Sequence, residues 1–437
     1  MASTYLKRTN GTPTNDKIGT ISAWVKRSKL GTDQRITMNF ADGSNYAYLR
    51  FTDGDVIEVY GVASGSQSTQ IRTNRKFRDT NAWYHIVLAI DTTQGTSTNR
   101  MKIYVNGVQE TSMSHTDYWG QNETCQLLIA SGSNYHTVGS AENGTSSFDG
   151  SMSHFHKCDG TALAPTVFGS TDSTTGEWKI ETSPSFTLGN NGYTILKDGN
   201  TITDQSSNSN DFTLGAGTLT KTEDCPSNVF ATVNPLDNYY AGGTFTEGNN
   251  TVKHGSSPWT YNTSTLKIPE NTKFYFEAKV ISMNQCTIGI EKNVSIGSDD
   301  YLGKTSGVGF RGNQGNVYKN GSDAGGTFAT YTANDIISVA CDTVNNRIFF
   351  GKNGTWLNSG DPTSSTGAIT IDDDRDYFFA LGDNTSGARG KWSANFGNGY
   401  FGTTAVSSAG TNASNIGIFE YDVPTGYTAL STKGLNL

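Results

Sequence analysis

Proline and cysteine are scarce in this 437-residue chain, with 9 Pro and 5 Cys, and charged side chains make up only 16% of it. The cysteines, Cys125, Cys158, Cys225, Cys286 and Cys341, are odd in number and widely spaced, with no Cys-x-x-Cys. That spacing gives no basis for a disulfide framework or a zinc site, and buried reduced thiols are expected, as in a protein assembled in a cytoplasm. No window sustains an apolar period of about 3.6 residues, so long helices are not expected. No apolar run approaches membrane length, and Met1–Arg8 contains no apolar h-region; neither a membrane span nor Sec export is expected. A net charge of −8 without a basic stripe argues against a grip on nucleic-acid backbones. Lys26, Arg27 and Lys29 form one of two basic clusters, and Arg72, Arg75, Lys76 and Arg78, the other, are expected on a solvated strand edge.

What the chain does have is turns and aromatics. It contains 50 Gly, 7 Trp, 20 Tyr and 21 Phe, and many of the aromatics sit in alternating runs, which argues for packed cores rather than disorder. In Ile336–Asp342, residues Ile337, Val339 and Cys341 alternate on one face; Ile348 and Phe350 do so in Arg347–Gly351. Asn345-Asn346 and Asn353-Gly354 supply residues that tolerate positive φ, so the segment reads as antiparallel strands with a tight turn that returns Trp356 to the sheet. Tyr84, Ile86, Leu88 and Ile90 repeat the pattern earlier, as do Met101, Ile103 and Val105 before Asn106-Gly107.

The length suits two sandwiches. The first is expected over 1–160 and the second over 236–437. Between them, 161–235 carries apolar islands at Trp178–Ile180, Tyr193–Leu196 and Phe212–Leu214. These islands are too apolar for a free linker. The segment is either a small ordered β-rich connector or extra strands laid on one of the sandwiches.

The run from Ile336 to Trp356 resembles a SPRY module, which binds partners through loops and does no chemistry. The order of an AWV strand (Ala23–Val25), a WYHIVLAID strand (Trp83–Asp91), a KIYVNG hairpin (Lys102–Gly107) and FDGSMSHF (Phe148–Phe155) resembles a concanavalin A-like or laminin-G-like jelly roll. Taken with Asp204–Thr213, with Pro226–Leu236, with NFGNG at Asn395–Gly399 and with VPTGYTAL at Val423–Leu430, the chain resembles virion proteins of marine tailed bacteriophages. The resemblance implies an all-β virion surface protein assembled in the host cytoplasm, with other virion proteins as partners and a homo-oligomeric form. It leaves open a tail fibre, a tail appendage or a capsid decoration.

Glucanases share the jelly roll, so catalysis is a rival reading of such a fold. Retaining glycosidases need two carboxylates about 5–5.5 Å apart, which an E-x-D-x-E strand supplies. None occurs, and Glu58 has Val56 and Tyr60 two residues away; no enzyme is expected, and a polysaccharide depolymerase is the third reading. His154 and His156 fall at i and i+2 and could hold a metal if Asp149 or Cys158 converged, or could form a satisfied polar pair with Phe155 in the core. Asp372, Asp373, Asp374 and Asp376 are weak calcium candidates against a plain acidic turn, because calcium takes about 6–8 oxygens. Otherwise no cofactor is expected. The composition best suits sugar binding, in which aromatic faces stack on pyranose rings. Trp119, Tyr135, Tyr239, Tyr240, Trp259 and Tyr400 stand in polar, Gly-rich contexts and are the glycan-binding candidates. The expected work is adhesion to host-surface polysaccharide, and the alternative is a structural capsid protein without receptor binding.

Overall fold

The computed structural model describes residues 4–197, 201–237, 242–255, 260–292, 301–373, 377–383 and 389–436. These residues form antiparallel sheets with no α-helix among them, and the only helical turns are short 3-10 pieces such as Pro165–Val167. The chain divides into two compact units, Met1–Lys221 and Thr222–Leu437.

The first unit is a sandwich of an eight-stranded and a six-stranded sheet. The six-stranded sheet centres on Ile18–Arg27, flanked by Trp83–Asp91 and Gly150–Asp159. Tyr84, Ile86, Leu88 and Ile90 point into the core with Met101, Ile103 and Val105, as their alternation requires. Asn106 and Gly107 take φ of 49° and 81°, the double left-handed turn that suits the twist of a tight hairpin. From the eight-stranded sheet come Ile36, Leu49, Phe51, Ile57, Val59 and Ile71.

The segment expected as a connector is shared between the units. Tyr193–Ile195 adds to the six-stranded sheet beside Gly150–Asp159, and Thr213–Ala216 adds to the eight-stranded sheet beside Tyr5–Arg8. Asp204 ties this region down by accepting from the amides of Thr194, Ser206 and Asn210. A hairpin of Gly169–Thr171 and Trp178–Ile180 brings Trp178 against His85. Strand Trp83–Asp91 is therefore buried on both faces. Phe230 and Val233 belong to the cores of the second unit.

In the second unit a nine-stranded and a six-stranded sheet enclose Phe276, Ile288, Phe310, Val339, Phe350, Phe379 and Trp392. Val339 pairs with Phe350 and Cys341 with Ile348, which brings the two alternating sets to one face, as the antiparallel reading requires. Asn346, Asn353 and Gly354 have φ of 53°, 49° and 81°. The intervening residues Tyr275, Ala340 and Phe349 point the other way and meet Phe419, Val423 and Tyr427. Strand Ile336–Asp342 is buried at every position for that reason.

All five cysteines are free thiols; four are buried and Cys225 is half-buried. Several of the basic residues form ion pairs. Arg27, fully buried, meets Asp55 at 3.1 Å, Arg78 meets the same Asp55 at 2.9 Å, and Arg75 meets Glu110 at 2.7 Å. Strand Ser66–Lys76 is not an edge, because Met113–Asp117 pairs along it.

Candidate functional site

Alternation on the eight-stranded sheet sends Ala47, Leu49 and Phe51 inward, and the same rule turns Tyr46, Tyr48 and Arg50 outward. On Val56–Ala63 it turns Glu58 and Tyr60 outward. Tyr48 lies directly across from Tyr60, and Arg50 from Glu58. The rings form a ladder: Tyr46 to Tyr48 is 6.4 Å at 13° between planes, and Tyr48 to Tyr60 is 5.4 Å at 22°. Such aromatic pairs contribute about 0.5–1.5 kcal/mol each beyond their area. Phe40 and Met38 extend the patch and Ala141 packs against it, so Tyr48 and Met38 are buried while Tyr46 and Tyr60 are half-buried.

Cations interleave with these rings. The guanidinium carbon of Arg35 stands 4.3 Å from the centroid of Tyr48, and that of Arg50 stands 5.1 Å away. Arg50 also gives Nε to Glu58 Oε2 at 2.7 Å and Nη1 to Asp33 at 2.7 Å. Arg72 Nε and Gln70 Nε2 reach Glu58 Oε1 at 2.9 and 2.8 Å. Burial alone would raise the Glu58 carboxyl, but the bonds from Gln70 and Arg72 and the charge of Arg50 overturn that and hold it below its ordinary range. Glu58 is therefore an anchored anion. Burial also raises the Tyr48 phenol, so it stays a neutral donor.

A hydroxyl–imidazole pair is present on the six-stranded sheet. Ser22 Oγ lies 2.9 Å from His85 Nε2, both buried. The indole N–H of Trp178 donates to His85 Nδ1 at 2.9 Å, which leaves the ring proton on Nε2. An imidazole in that tautomer donates to the serine and cannot take its proton.

Residues 2–167 match the family model described as the concanavalin A-like lectin/glucanases superfamily, and residues 273–366 match that of the SPRY domain. The chain carries a concanavalin A-like domain and a SPRY domain. Among solved structures it is similar to the SPRY domain of human HERC1, at 17% identity over 35% of this chain and 91% of that one, with a TM-score of 0.29. A human SPRY domain is similar at 16% identity over 33% and 90%, with a TM-score of 0.25. A heptameric SAP-like pentraxin from Limulus polyphemus is similar at 16% over 37% and 71%, with a TM-score of 0.28. Likenesses at these scores carry no further argument, and no curated protein matches the chain.

The tyrosine–arginine face thus belongs to the concanavalin A-like domain, and it contains none of the residues expected from local context. Trp119, expected on a rim, is 0% exposed and lies in the core, with Nε1 donating to Gln126 at 3.0 Å. Gly61 lies beside it, where a Cβ would make ordinary contact with the indole at 3.4 Å. Tyr135 is half-buried and has the ammonium of Lys7 over its ring at 4.3 Å. Tyr400 is half-buried in a short hairpin of the second unit. Tyr239, Tyr240 and Trp259 lie outside the described residues.

Asp372 meets Lys319 at 2.8 Å and Lys292 at 3.3 Å, so ammonium groups engage the oxygens that calcium would need. Asp373 accepts from Asn346 at 3.1 Å, while Asp374 and Asp376 lie outside the described residues. His154 sits at a bulge with φ of 47° and meets Ser153 Oγ, whereas His156 meets Thr194 Oγ1. Phe155 fills the core as expected. The Cys158 thiol donates to the carbonyl of Thr187. Among the described residues no group of three or more His, Cys, Asp or Glu could hold a metal ion.

Proposed function

We propose that this protein is a non-enzymatic surface component of a bacteriophage virion, a tail fibre or appendage, which attaches to host glycan through the outer face of its concanavalin A-like domain. The observation that carries the glycan reading is the ladder of Tyr46, Tyr48 and Tyr60 standing on a sheet face, because aromatic rings with polar neighbours are what a sugar-binding surface requires. The virion reading rests on the motif resemblance of the segments at Asp204–Thr213, Pro226–Leu236 and Val423–Leu430. Against catalysis stand the wrong tautomer at His85 and the locked anion at Glu58.

The test is saturable binding of purified full-length protein to host-cell polysaccharide, measured together with release of new reducing ends. Binding without release is expected. New reducing ends would overturn the non-enzymatic reading. No binding, with fragile particles when the protein is removed, would replace attachment by a capsid-structural role.

A further inference from the structure

Donors and acceptors on the tyrosine–arginine face are unequally engaged. Glu58 Oε2 accepts from Arg50, and its Oε1 accepts from Arg72 and Gln70. Asp33 Oδ2 accepts from Arg50, and its Oδ1 accepts from the amide of Asp53. While Glu142 lies near enough to Tyr46 for its charge to help raise that phenol, Glu58 and Asp33 are thus occupied from within the protein. The donors are not: among the described residues, the hydroxyls of Tyr46, Tyr48 and Tyr60 have no hydrogen-bond partner in the protein.

Arg35 stands out from the other arginines of this face. Arg50 and Arg72 both reach Glu58, whereas Arg35 pairs with no carboxylate among the described residues. Its Nη1 lies 3.3 Å from the sulfur of Met38, a weak acceptor, and its buried Nε has no partner at all. A partly desolvated guanidinium without a counter-ion is unfavourable until an anion arrives. Arginine meets carboxylate and sulfate oxygens through charge-assisted, often paired hydrogen bonds, which are roughly twice as strong as neutral ones.

We infer that this face selects an acidic saccharide, a uronate or sulfated polymer, with Arg35 taking the anionic group and the hydroxyls of Tyr46, Tyr48 and Tyr60 donating to the oxygens beside it. The inference rests on the reading of this face as the glycan site and names the class of glycan. The chain's net charge of −8 does not oppose it at physiological ionic strength, because fields reach only about 8 Å there and Arg35 acts at contact.

The experiment compares full-length protein on an alginate oligomer, dextran sulfate and neutral dextran of matched length, by calorimetry in about 0.15 M salt. At least one acidic polymer is expected to bind ten-fold or more tighter than dextran, and Arg35→Gln is expected to remove that preference while the first unit, which carries Arg35, still shows its melting transition. A Tyr46→Phe, Tyr60→Phe double variant keeps both rings, loses two donors and is expected to weaken acidic-polymer binding several-fold; it decides the matter if Arg35→Gln does not fold. Equal binding of dextran and the acidic polymers, or full binding by both variants, overturns acidic selection while the glycan reading stands. Binding to none of the three polymers overturns both.

Discussion

Trp178 donates its indole N–H to Nδ1 of His85 at 2.9 Å, and the opposite nitrogen of that ring meets Ser22 at the same distance. A second proton on His85 would face the indole hydrogen. Trp24 stacks on the ring's other side, with centroids 4.8 Å apart. Burial pushes His85 down to about 3, and burial with the charges of His154, His85 and Lys197 does the same to His156.

Acid should therefore unfold the first unit by a route visible in its pH slope. Both folded-state values lie below the ordinary 6.5, so this stability is fully present above about 6.5 and is lost as pH falls toward about 3. In that window the unfolded chain takes protons that the native unit refuses. Each histidine removes roughly 1.4 kcal/mol per pH unit. Denaturant titrations of wild type and His85→Gln between pH 7 and 4 measure it; equal slopes in the two proteins would contradict the assignment.

In the second unit Glu277 should contribute in the opposite sense, against the unit's own buried His254, which burial holds below its ordinary range. Glu277 is buried under Tyr275, which donates to Oε1 at 2.8 Å, and the amides of Glu420 and Tyr421, which donate at 2.8 and 2.9 Å. Burial raises this carboxyl to about 7 despite those bonds, with the nearby Glu420 adding to the rise. A folded value above the ordinary 4.5 gives stability that is full below about 4.5 and lost as pH rises toward about 7, again at roughly 1.4 kcal/mol per unit. Calorimetry of the second unit's transition from pH 5 to 8 should show this falling contribution in wild type and lose it in Glu277→Gln.

Trp119→Ala should destabilise the first unit by about 3–5 kcal/mol, the usual loss for a large buried aromatic. Tyr60→Ala should change stability far less and lower glycan affinity. Melting temperature and binding measured on both variants separate packing from recognition; loss of binding by Trp119→Ala at unchanged stability would restore Trp119 to the rim.

That pair also marks how far the sequence could be read. Strands whose partners lie a few residues away were legible, because Tyr84–Ile90 and Ile337–Cys341 carry period-two cores and the turns at Asn106-Gly107 and Asn353-Gly354 are local. Trp119 was not, since its polar, Gly-rich neighbourhood says nothing of the core it enters, whose other residues, such as Ile21 and Ile57, come from strands distant in sequence. The tyrosine ladder was written in the pattern Tyr46-x-Tyr48 facing Tyr60, but only the cross-strand register makes these residues neighbours. The same holds for Thr213–Ala216, whose partner strand is Tyr5–Arg8, near the start of the chain.

Thiol chemistry offers an independent check on the cores. Burial pushes Cys125 and Cys286 up to about 12, which suppresses the thiolate that reagents attack. A disulfide reagent should modify Cys225 alone in the native protein and all 5 cysteines in denaturant. Added reductant should leave both melting transitions in place. A native count above one would show that a core opens on the timescale of the labelling.

Gly107 sits beneath Trp178, and a Cβ there would come within 2.4 Å of the indole. Its φ of 81° adds strain for any other residue. Gly107→Ala should push the hairpin of Gly169–Thr171 and Trp178–Ile180 off the sheet rather than break the hairpin from Met101–Val105, since the indole is the half-buried partner and the strand is the buried one. Without the indole hydrogen on Nδ1 and its cover, His85 should titrate nearer its ordinary range, so the acid slope of the first unit should shrink. Tryptophan emission should shift to the red as Trp178 meets water. The outer face of the other sheet, which carries Tyr46, Tyr48 and Tyr60, should keep its glycan affinity. An unshifted emission with an unchanged slope would mean that the indole does not rest on Gly107 in solution.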